Sequence, residues 1–88
     1  MKLLAARVAA TTTNKTIGSA TAVYVVTTGA FTLSLIDTDG TADGTNGTVV
    51  GTLTLPSGWS GTIHKDSGQF LKGGDTAAYF TKIASSGT

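Results

Sequence analysis

The chain has 88 residues and a net charge of +1, from 6 Lys+Arg against 5 Asp+Glu. Charged residues make up 12% of it, against about 25% in an ordinary soluble domain, and no basic cluster stands out, so phosphate-backbone binding to nucleic acid is not expected. No run of 18 apolar residues is present to span a membrane.

The chain has no cysteine, which removes disulfides, thiolate metal sites and a cysteine nucleophile. Thr and Ser together supply 25 of the 88 residues and Gly another 12. Thr favours strands and Gly favours turns, so the expected class is all-β. The opening Met1-Lys2-Leu3-Leu4-Ala5-Ala6 has the flavour of a secretory leader. Arg7 interrupts it after four apolar residues, short of the roughly 7 to 15 such a leader needs, so none is expected.

In chain order, Leu4, Ala6, Val8 and Ala10 alternate and predict a strand over 5–12. Residues 1–13 read as an N-terminal strand or arm that pairs with a neighbouring subunit. Asn14-Lys15 reads as a turn. Residues 20–27 form a strand apolar on both faces, hence central or covered on both sides. Phe31, Leu33 and Leu35 alternate with Thr32 and Ser34, and the link Thr28-Gly29-Ala30 predicts a hairpin to the preceding strand with Gly29 left-handed.

Residues 37–47 are a turn-rich loop of Asp, Asn, Thr and Gly. A strand follows over 49–55, stopped by Pro56-Ser57-Gly58. Short strands are expected over 62–65 and 69–72 and a last one over 76–83, with a flexible tail over 85–88. About seven short strands with turn signals every 8 to 12 residues fit one small antiparallel β-sandwich or jelly-roll-like domain, spanning 14–84.

The candidate chemistry is sparse. Asp39-Gly40-Thr41-Ala42-Asp43-Gly44 matches the first half of a calcium loop. Position 12 falls on Val50, where a bidentate Glu belongs, so a polar turn is the expected reading and no metal or cofactor is assigned. Ser60, His64 and Asp66 have triad residue types. Same-face strand neighbours lie roughly 6.6 Å apart, a poor geometry for proton transfer, so no catalytic residue is assigned and no enzyme is expected. Trp59 between Gly58 and Ser60 has the setting of a sugar-stacking platform. A core or interface anchor is the favoured alternative, because no acidic or amide partners cluster beside it. The glycines follow no phosphate-loop pattern. The Asn14-Lys15-Thr16 and Asn46-Gly47-Thr48 glycosylation patterns carry no meaning in so Thr-rich a chain. Leu4, Val8, Phe31, Trp59, Phe70, Tyr79 and Phe80 are the candidate core or interface anchors.

The stretch Lys15 to Gly29, then Gly51-Thr52-Leu53-Thr54-Leu55, Ile63-His64-Lys65 and the closing strand Ala77 to Ile83 resemble small virion proteins of tailed bacteriophages, especially marine ones. The resemblance implies a compact β-sandwich and a structural role, most often capsid decoration or cementing. The partners it implies are the major capsid protein or other virion subunits, at the capsid surface, with no nucleic acid and no membrane. A homo-oligomer, first of all a trimer, is expected. A place in the neck, tail or fibre base is the alternative within that class, and a carbohydrate-binding module using Trp59 and loop 37–47 is the alternative outside it.

Overall fold

The structure is a computed structural model of the chain and describes residues 2–37 and 40–84. It is all-β, with seven strands in two antiparallel sheets: β1 (Val8–Ala9), β2 (Ala22–Thr27), β3 (Phe31–Ile36), β4 (Val49–Leu55), β5 (Ser60–His64), β6 (Phe70–Gly73) and β7 (Ala78–Ile83). One sheet has the order β1-β7-β2-β5 and the other β4-β3-β6. The shortest dimension of the molecule is 19 Å, which suits two sheets about 10 Å apart with their outer side chains. Among the described residues no helix is long and apolar enough to cross a membrane.

Alternation builds the core. Val23, Val25, Ala78 and Phe80 face inward from the first sheet, and Phe31, Leu33, Leu55 and Leu71 from the second. Phe31 and Phe80 meet edge to face with ring centroids 6.1 Å apart, a favoured aromatic geometry. Among the described residues, Asn14, Thr27 and Lys65 are the polar residues buried with them.

The strand over 49–55 stands where the alternation puts it, and the other predicted strands move by one to three residues. Two expectations change. β2 and β3 do not form a hairpin. They belong to different sheets, and residues 28–30 arch between them, because the inward faces carrying Val25 and Phe31 must oppose each other across the core. Gly29 is not left-handed. The N-terminal segment pairs within its own chain. Among its described residues only Val8–Ala9 forms a ladder, opposite Phe80 and Tyr79, with a further bridge between Leu3 and Ile83.

That segment then changes sheets. Residues up to Ala10 follow β7, where the Ala10 amide donates to the Ala78 carbonyl. Thr11 accepts from the Gly73 amide, and Lys15 exchanges both backbone bonds with Leu71 of β6. One short stretch therefore closes the same side of both sheets. It ends in a turn where Ile17, Gly18 and Ser19 all have positive φ (55°, 63° and 57°). Ile17 is β-branched and strained there, and its side chain packs on the core.

Candidate functional site: two apolar edges

With one side closed by the N-terminal segment, the opposite side is left open. There β4 ends one sheet and β5 ends the other. Inward-facing Trp59 lies against Gly61, and a Cβ at Gly61 would come within 2.6 Å of the Trp59 ring. The ring packs on the core and fills that end of the open side. Further along, Leu33, Leu35, Gly51, Leu53, Ile63 and Leu71 line an apolar slot of about 230 Å³. Nothing lies within 4 Å of the position a Cβ would take at Gly51.

β4 carries no charged side chain. Val49, Val50 and Leu53 are 55, 54 and 45% exposed. A register shift opposite Leu35 and Ile36 leaves Val50 without a partner in β3, a bulge of the kind that often sits on sheet edges. The closed side has an apolar patch of its own: Leu3, Leu4 and Val8 are 66, 48 and 45% exposed. Exposed apolar side chains therefore sit at two opposite edges of the sandwich, and such patches mark association surfaces when they cluster.

The seven candidate anchors divide between core and surface. Phe31, Phe70 and Phe80 are buried, and Trp59 packs on the core. Leu4 and Val8 are exposed. Tyr79 faces outward beneath the Arg7 guanidinium, whose carbon lies 4.1 Å from the ring centroid, a cation–π contact that ties the N-terminal segment to β7. Sequence reasoning missed Leu3, Val49, Val50 and Leu53, because an alternating strand looks the same at the centre of a sheet and at its edge.

The candidate chemistry comes apart in the structure. Ser60 and His64 stand four residues apart on the outer face of β5, about 13 Å along the strand, and Asp66 lies in the following turn. In the calcium-like loop Asp39 lies outside the described residues, Asp43 pairs with Lys15, and the Thr41 carbonyl accepts from Asn14 Nδ2 and the Gly44 amide. Among the described residues no three acidic or histidine side chains gather. Asn14, expected in an open turn, is fully buried. The glycosylation pattern there is thus inaccessible.

One charged group is held in an unusual setting. Lys65 sits beyond the end of β5, and its Nζ donates to the carbonyls of Asp66 at 3.2 Å and Gln69 at 2.8 Å. Burial pushes its pKa down to about 8. Asp66 works against that shift, and Lys82 adds to it. A cleft of about 400 Å³ on the closed side is lined by Val8, Ile17 and the Lys15–Asp43 pair among others. With its two charges already paired, it offers a ligand little that is specific.

No protein family, no curated protein and no solved structure matches the chain, so the two apolar edges and the β-sandwich between them are what its function must be read from.

Proposed function

We propose that this chain is a non-enzymatic structural subunit of a tailed-phage virion, seated on the capsid surface as a decoration or cement protein. The observation that carries the reading is the pair of apolar edges on opposite sides of one small, weakly charged sandwich. A body with two such edges can touch two neighbours at once. A contact of that kind must break before the neighbours separate, and this is how a small subunit resists expansion or leakage of a shell. Each 100 Å² of apolar surface removed from water contributes about 2.5 kcal/mol before ordering costs. Few ions need to be stripped of water, because charged residues are only 12% of the chain.

The packing of the partly buried Trp59 ring against Gly61 and the core supports the anchor reading of this residue over the sugar-stacking one. The test is co-sedimentation of the purified chain with phage heads prepared without it, followed by electron microscopy of the loaded particles. Ordered density at fixed positions on the shell is expected. Failure to bind, or density confined to the neck or tail, overturns the capsid assignment.

A further inference from the structure

We infer that β4 is the seat of a second copy of this chain, joined by antiparallel pairing of β4 with β4 about a two-fold axis through Thr52. The inference rests on the reading of the open side as an association edge, and it names the first occupant of that edge.

Three observations carry it. The first is charge. Strand β4 has no charged side chain, so a copy of itself meets no like charge on approach. Charge is a common device against self-pairing of edges. The outer edge of the N-terminal segment presents Lys2 and Arg7, and β6 is already bridged by Lys15. Of the two described edges without Asp, Glu, Lys or Arg, β4 and β5, β4 is the one that exposes large apolar side chains.

The second is register. Side chains directly opposite in an antiparallel pair lie on the same face. Thr52 is the middle residue of Val49–Leu55. An axis through it sets Leu53 of each copy opposite Gly51 of the other and Val50 opposite Thr54, and the new ladder stops at the bulge that takes Val49 out of register.

The third is shape. The site beside Gly51 is vacant, and the slot that opens there is walled by Leu35, Leu53 and Ile63. In the Thr52 register the Leu53 side chain of the second copy arrives on the inner face at that vacancy. The large residue of one copy meets the missing side chain of the other, twice per pair. An axis at Gly51 would leave both vacancies facing each other, and an axis at Leu53 would crowd two leucines while leaving both slots open. The assembly is therefore a closed two-fold pair rather than the trimer expected at first, and it joins two three-stranded sheets into one of six strands. The Leu3, Leu4 and Val8 edge stays free on each copy for the shell.

The test uses the absence of cysteine from the chain. Analytical ultracentrifugation of the full chain should give twice the monomer mass. Thr52→Cys should oxidise to a covalent dimer at least tenfold faster than the exposed control Thr28→Cys. Leu53→Glu and Gly51→Leu should each sediment as monomers while keeping the β-sheet circular dichroism of the parent. A parent that is monomeric at millimolar concentration overturns the inference, as does a trimer or a Thr52→Cys variant that cross-links no faster than the control. The two proposals fail separately. A monomer that still decorates phage heads leaves the virion role standing, and a β4-paired dimer that ignores them leaves the pairing standing.

Discussion

Asn14 Nδ2 donates to the carbonyl oxygen of Asn46 at 2.7 Å, and through that contact a fully buried side chain holds a loop 32 positions away in the sequence. The same nitrogen donates to the Thr41 carbonyl at 3.2 Å. The Asn14 backbone accepts from the Asp43 amide and donates to the Gly44 carbonyl. Asp43 takes a left-handed φ of 62° to make this fit. The loop so held lies over Ile36, against which Gly47 packs so closely that no side chain fits there, and Gly47 has a φ of 123° as well. Asn14→Ala leaves two carbonyls without donors. We expect a loss of about 2 to 3 kcal/mol in denaturant unfolding and faster hydrogen exchange at the Asp43 amide. Asn14→Asp, which sets carboxylate oxygens against those carbonyls, should be at least as damaging. Unchanged exchange in both variants would contradict this role.

Gly61 and Trp59 make a second prediction. A side chain at Gly61 must displace the indole, whose Cη2 and Cζ2 would lie 2.6 and 2.8 Å from the new Cβ. Gly61→Val should cost about 1 to 3 kcal/mol through overpacking. Because Trp59 is the only tryptophan, its fluorescence reports the change directly. A red shift in the folded variant is the expected signature, and an unshifted spectrum at unchanged stability would refute the packing.

Lys65 should make stability depend on alkaline pH. Its pKa falls from 10.5 to about 8 on folding, so between those values the unfolded chain binds more protons than the native one. Unfolding free energy then rises with pH across that window and levels off outside it. The two carbonyl bonds to Nζ favour the charged form and keep the gain on the order of 1 to 3 kcal/mol. Urea midpoints measured from pH 7.5 to 10.5 in parent and Lys65→Met should diverge, the parent rising and the variant lacking that rise. Parallel curves would remove Lys65 as the cause.

Phe80 sits opposite Val8 and Val25 in β7 and holds the edge-to-face contact with Phe31. Phe80→Ala should cost about 3 to 5 kcal/mol, close to the whole stability of a domain this size at the lower limit of about 0.05 kcal/mol per residue. The variant is expected to melt far below the parent by circular dichroism or to be unfolded at 25 °C. A loss under about 1 kcal/mol would mean the ring is not in the core.

Much of the sandwich was legible because alternation is local. The inward Phe31, Leu33 and Leu55, and the split of β7 into Phe80 inside and Tyr79 outside, follow from a period of two. Which sheet a strand joins is not local, and Thr28-Gly29-Ala30 suits a hairpin and an arch equally well. The strand expected over 5–12 shrank to Val8–Ala9 because the segment must leave β7 for β6 near Thr11. Asn14 looks like any turn residue, since its partners lie 27 and 32 positions away. Gly51 looks like a strand defect until the vacancy beside it is seen.

The pairing of Val8 with Phe80 and Leu3 with Ile83 has a kinetic consequence. Those ladders form only after nearly the entire polypeptide has looped back on itself, and closure over so long a separation is paid in entropy before any contact rewards it. Refolding should therefore proceed in milliseconds to seconds rather than microseconds. During that interval the backbone of Ala78–Ile83 lacks its last neighbour, and a crowded solution of half-finished molecules has its best opportunity to exchange first segments with one another.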